Sequence, residues 1–165
     1  GHKRIGAVVG RSTLDSMIGR VEGYRRALLE HRIAFDKSLV VDAVDVDVEA
    51  GYRATKKLLE HRRPPTGLLV MNNLLVIGAL NAIREKGLAI PEDIALIGWD
   101  DFDAAPHLQT PLTVVEQPAY AMGSIAAEQL LKMRSDESVD PSLHIVLKST
   151  LIIRESSEKR ISGKS

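Results

Sequence analysis

The chain has 165 residues, 44% hydrophobic and 27% charged, which suits one domain, with room for two lobes, around a proper core. Its 22 Lys and Arg balance 22 Asp and Glu, and zero net charge argues against a segment that grips a nucleic-acid backbone. With no cysteine it has no disulfides, thiolate nucleophiles or Cys-zinc sites, and it is compatible with a reducing cytoplasm.

No apolar run approaches membrane-spanning length, and the N-terminus lacks a signal-peptide core. His2-Lys3-Arg4 leads directly into Ile5 to Val9, a buried-strand candidate, so the chain reads as a piece of a longer protein. Gly10 to Ser16 is a polar loop that offers helix caps. Met17, Val21, Tyr24, Leu28 and Leu29 recur at helical spacing, giving a helix to about His31. Leu39 to Val46 reads as a strand interrupted by Asp42. Asp47 and Glu49 open the next helix, which Arg62-Arg63-Pro64-Pro65 ends. Leu68 to Met71 is a third strand, Asn72-Asn73 punctuates it, and a helix from about Leu75 to Lys86 stops at Gly87. Ile94 to Ile97 is a fourth strand, continuous in its apolar residues as parallel strands covered on both faces are.

This β-α alternation predicts an α/β fold with a doubly wound parallel sheet. After Gly98 the rhythm breaks. Ala104 to Thr110 is a loop with one short helical turn, and Leu112 to Val115 is extended. Ala119 to Met133 is a helix with Met122, Ile125, Ala126, Leu130 and Met133 inward. Ser135 to Ser142 is a polar loop, and His144 to Lys148 and Thr150 to Arg154 are strands. Ser156 to Ser165 is a frayed tail. The helix carrying Val76, Ile77, Ala79, Leu80, Ala82 and Ile83 is apolar beyond one stripe. Either it is buried on two sides, or its outer face meets another subunit.

Ligands of open α/β sheets sit beyond the carboxyl ends of the strands. Asp100, Asp101 and Asp103 fall there. Turn or cap roles, a metal site, or acceptance of hydrogen bonds from ligand hydroxyls all remain open for these acids, although no His lies at ligand spacing. Asn72 and Asn73 face the same crevice, as readers of a polar ligand or as a helix N-cap. Arg20 lies near the first loop, either solvated or a donor to the ligand. Gly10-Arg11-Ser12-Thr13 is a weak anion-binding candidate. The two common phosphate-cradling loops, the G-x-S-x-G elbow and H-E-x-x-H are absent, and no nucleophile, base and orienter can be assembled. The chain therefore reads as a small-ligand domain with no visible catalysis, so the expectation is not an enzyme, with no cofactor and no metal assigned to the acids.

G-H-K-R-I-G-A-V-V-G, then Arg20-x-x-Gly23-Tyr24, then N-N-L-L-V-I-G-A-L-N-A-I-R-E-K-G-L-A-I-P-E-D-I-A-L-I-G-W-D-D, then P-L-T-V-V-E-Q-P-A-Y-A-M-G resemble the effector-binding core of lactose-repressor-type (LacI/GalR) transcription regulators. The resemblance runs from Gly1 to about Glu155. It implies a type I periplasmic-binding-protein-like fold, mainly the C-terminal lobe: 1–111 as that lobe, 112–117 as the crossover, 118–143 as helix and loop of the N-terminal lobe, 144–155 as returning strands and 156–165 as a flexible tail. It also implies that the apolar face of helix 119–133 has lost its sheet if most of the first lobe is absent.

By the same resemblance Arg20, Asn72, Asp100 and Gln117 bind effector between the lobes, and Ser16 adds a polar contact. Asp101 and Asp103 are left as turn or cap residues. Val46 stands where many members place a stacking aromatic, and an aliphatic side chain offers no such flat face. Asn73 replaces a commoner Asp. Val76, Ile77, Leu80 and Ile83 lie on a helix that contributes to family dimers. The expectation is a cytoplasmic, ligand-responsive DNA-binding regulator, a repressor in the family's manner. It would take a small polar effector such as a sugar or sugar derivative and form a homodimer. Operator DNA would be bound through an N-terminal helix-turn-helix absent from this chain, with no membrane contact. The competing expectation is a periplasmic solute-binding protein of a transport system.

Overall fold

The computed structural model describes residues 1–134 and 144–158. Six strands form one sheet in the order β2-β1-β3-β4-β5-β6. They are β1 (Ile5–Val9), β2 (Val40–Asp42), β3 (Gly67–Val70), β4 (Ala95–Trp99), β5 (Thr113–Glu116) and β6 (Thr150–Ile152). The first five pair in parallel, and β6 runs antiparallel to β5, with Val115 opposite Leu151. The helices are α1 (Asp15–Glu30), α2 (Val48–Leu59), α3 (Asn73–Glu85) and α4 (Ala119–Arg134).

Strand periodicity of two divides the core between the sheet's faces. Val8, Val41, Val70, Leu96 and Val114 join α2 and α3 in the larger cluster, while Ala7, Val9 and Met71 join Met17, Tyr24 and Leu28 of α1 in the smaller one. Tyr24 seals α1 to β1 by donating its hydroxyl to Ile5 O at 2.7 Å. Helices α2 and α3 touch backbone to backbone: a Cβ added at Gly51 would lie 2.6 Å from Leu75 Cα, and one at Gly78 would lie 2.8 Å from Gly51 C. Only glycine permits that approach. Helix α3 ends in a Schellman motif, with Gly87 at φ 70° and its N–H donating to Arg84 O, and Leu88 N–H donating to Ile83 O.

Several sequence expectations are corrected. The strand expected over Leu39–Val46 is only Val40–Asp42, because the Asp42 carboxylate accepts from Val44 N–H at 2.8 Å and turns the chain. No strand forms over 144–148; of the returning segment only Thr150–Ile152 pairs. Helix α4 buries none of its residues: Met122, Leu130 and Met133 are exposed, since no sheet lies beneath them among the described residues. Ser156, placed in a frayed tail, is buried; its hydroxyl donates to Leu96 O at 2.6 Å and accepts from Thr113 N–H at 2.8 Å. The loop expected over Ser135–Ser142 and the tail beyond Glu158 lie outside the described residues.

The apolar helix α3 is buried on two sides. Val76 and Ile83 are 0% and 1% exposed, spent against α2 and the sheet, so neither is free for a dimer surface. Ile77, at 38%, and partly buried Leu80 remain outward, beside exposed Leu74.

Candidate functional site at the carboxyl edge of the sheet

The loops after β1, β2 and β4 all open at one edge of the sheet. Each contains a non-glycine residue with positive φ: Arg11 at 42°, Val44 at 62° and Asp100 at 63°. Such conformations cost about 1–3 kcal/mol each and persist only where their surroundings fix them.

Arg20 sits in the second turn of α1. Its Nη1 donates to Met71 O at the end of β3, 2.5 Å away, and its guanidinium stacks over the Trp99 ring with Cζ 4.2 Å from the centroid. Burial pulls this guanidinium below its ordinary pKa, and the charge of Asp100 opposes the shift. Trp99 ends β4 on the α1 face, and its indole nitrogen is buried without a hydrogen-bond partner among the described residues.

Asp100 follows immediately. Its N–H donates to Val115 O at 2.9 Å, and its Oδ1 accepts from Gln117 Nε2 at 2.5 Å. The structure thus joins the residue after β4 to the residue after β5. Both line a cleft of about 390 Å³ with Asp101, Glu116, Ala119 and Met122.

Asn72 caps α3: its Oδ1 accepts from Leu74 N–H at 2.9 Å and Leu75 N–H at 3.3 Å. Asn73 Oδ1 also accepts from Leu74 N–H. The capping role therefore holds for Asn72 and consumes its acceptor, leaving the amide nitrogen as the group that can address a ligand. Ser16 is exposed one helical turn before Arg20, on the same face. Val46 is half-buried and closes over the first loop, its Cγ2 2.8 Å from where a Cβ on Gly10 would be. Nearby, Asp42 Oδ2 accepts from Ser12 N–H at 3.1 Å, linking the loops after β1 and β2. Burial raises the Asp42 carboxyl, but hydrogen bonds from Ser12 and Val44 outweigh this and lower it.

The other two acids are separate from Asp100 in role. Asp101 pairs with Arg154, Nη2 to Oδ2 at 2.7 Å and Nη1 to Oδ1 at 3.0 Å. Asp103 is exposed. Among the described residues no three His, Asp or Glu side chains gather as a metal site.

Sequence reasoning missed the Trp99–Arg20 stack and the Arg154 contacts. Trp99 carried a signal, an aromatic at a strand end beside acids. Arg154 carried only a weak one, a lone cation closing an apolar strand.

A family model for the periplasmic binding protein-like domain matches residues 1–157. The HTH-type transcriptional repressor PurR of Haemophilus influenzae is 34% identical over 158 residues, covering 94% of this chain and 47% of its own. The solved transcription regulator CcpA of Lactococcus lactis superposes with a TM-score of 0.86 at 30% identity, over 96% of this chain and 57% of its own. A transcriptional regulator CelR–cellobiose complex superposes with a TM-score of 0.89 at 32% identity, over 95% of this chain and 47% of its own. The chain spans about half the length of the curated relatives it matches.

Proposed function

The chain belongs to the periplasmic binding protein-like domain family, in the form carried by LacI-type transcription regulators, and from that premise we propose that it is the effector-binding core of a ligand-responsive, DNA-binding regulator. The observation that carries the reading is the convergence of Arg20, Asp100 and Gln117 at one edge of the sheet. Asp100 offers a carboxylate oxygen beyond the one Gln117 uses, and Gln117 keeps its carbonyl as an acceptor. Asn72 and Arg20 keep N–H donors. A neutral, polyhydroxylated ligand presents donors and acceptors together and suits such a set. A ligand carrying net negative charge meets Asp100.

An effector that prefers one arrangement of the domain shifts the population toward it, by no more than its differential affinity. That shift would reach operator DNA through an N-terminal helix-turn-helix outside this chain. A homodimer would use the outward side of α3, around Leu74, Ile77 and Leu80. The names of the relatives favour a regulator over a transport receptor, and hence a cytoplasmic protein that turns over no substrate. No helix among the described residues is long and apolar enough to cross a membrane.

Calorimetry on the full-length protein with cellobiose, ribose and purine bases tests the reading. The expected result is one binder whose affinity falls at least about tenfold, roughly 1.4 kcal/mol, in Arg20→Ala and in Asp100→Ala. Unchanged affinity in both variants rejects the site.

A further inference from the structure

We propose that Arg154 is a positioning residue for the candidate site: its two-pronged hold on Asp101 fixes the neighbouring Asp100 and couples that side chain to the returning strand β6. The functional weight of this proposal rests on Asp100 and Gln117 being effector contacts; its test does not.

Asp100 sits at φ 63° without help from its own side chain, which is engaged with Gln117. Neighbours must therefore impose the left-handed turn. On one side Asp100 N–H is tied to Val115 O. On the other, Asp101 is anchored three ways: Oδ1 accepts from Phe102 N–H at 3.1 Å, and both oxygens accept from Arg154. Arg154 Nη1 also donates to Leu112 O at 2.8 Å, just before β5. The pair is mostly enclosed, with 16% of the Arg154 side chain and 23% of the Asp101 side chain exposed.

Arg154 is itself held through its backbone by the Thr113 hydroxyl. Its N–H donates to Thr113 Oγ1, and Thr113 Oγ1 donates to Arg154 O, both at 2.8 Å. Ser157 Oγ meets the same hydroxyl at 2.7 Å, and Ser156 bridges Thr113 N–H and Leu96 O. The start of β5 and the chain just after β6 are thus sewn into one seam, and Arg154 is its only side chain that reaches Asp101 among the described residues. A shift of β6 along β5 must either break the Arg154 fork or drag Asp101. Dragging Asp101 turns Asp100 away from Gln117. The planar guanidinium is required, because lysine is a point charge and cannot grip both oxygens in a fixed plane.

The test follows the Gln117 side-chain amide in the 165-residue chain by water-exchange NMR, with far-UV circular dichroism to record folding. Arg154→Lys and Asp101→Asn should each speed exchange of the Gln117 amide protons at least tenfold. Ser156→Ala loosens the same seam without touching Asp101 and should leave that exchange within twofold. Unchanged exchange in both Arg154→Lys and Asp101→Asn overturns the proposal. So does an equal rise in Ser156→Ala, which would mean general loosening. If Arg154→Lys does not fold, the isosteric Asp101→Asn decides alone. No effector is added, so failure here leaves the effector reading of Arg20 and Asp100 standing, and a failed calorimetry result leaves this outcome standing.

Discussion

At the residue scale, neighbouring identical acids do different work because of what each meets. Asp100 turns toward Gln117, Asp101 toward Arg154, and Asp103 toward solvent. All three are legible at a strand end and the family resemblance points to Asp100, but Asp101 reads there only as a turn or cap residue, because its partner Arg154 lies 53 positions away. Hydrogen bonding from Arg154 exceeds the opposing effect of burial and, with the charge of Arg154 and the Phe102 N–H, holds the Asp101 carboxyl below its usual range. A carboxyl depressed in the folded state stabilises above its unfolded pKa of about 4 and loses that contribution as pH falls through the folded value. Asp101→Asn should therefore cost about 1–3 kcal/mol at pH 7, with the gap to the native chain shrinking below about pH 4. Urea midpoints between pH 7 and pH 3 measure this. A gap that is constant with pH, or widens in acid, refutes the ionic origin.

At the scale of elements, helix existence was legible and helix surroundings were less so. The stripes of α1, α2 and α3 fall within a few residues of their observed limits, because periodicity and caps such as Asp47 and Gly87 are local signals. Whether Val76 faces a sheet or another subunit is a question about α2, which packs through Gly51 and Gly78, and no local pattern encodes that meeting. For α4 the helix was readable, but its expected inward face is exposed, because no sheet lies beneath it among the described residues. Glycines inside helices make the distinction testable. Gly78→Ala drives a methyl into the α2 backbone and should cost at least about 3 kcal/mol by denaturant unfolding. Gly23→Ala in α1, where a Cβ meets nothing within 4 Å, should raise stability by about 0.5–1 kcal/mol. Equal effects at the two sites would show that α2 and α3 do not approach as described.

At the scale of the whole molecule, stability is concentrated on one side. The sheet with α1, α2 and α3 holds the buried core, while α4 contributes no residue to it; Met122, Ile125 and Ala126 line a shallow cleft with Ile145 and Leu147. Tyr120 is 91% exposed and Leu130 69%. A 16-residue helix without burial is marginal in water. Amide hydrogen exchange should therefore show α4 opening with little protection while α2 and α3 exchange only near the global limit. Matched protection in α3 and α4 would contradict this. The seam between β5 and β6 then sets what kind of movement α4 can have. The chain leaves the sheet at Gln117 and returns at Thr150 through two adjacent strands, not one. A single tether lets its load swing, tip and spin. Two tethers side by side, clamped at their bases, suppress the spin and one of the tilts, and leave a single soft bending axis across the pair. Helix α4 and residues 144–149 are thus carried as on a door hinge, and the site at Asp100 and Gln117 lies beside the pin.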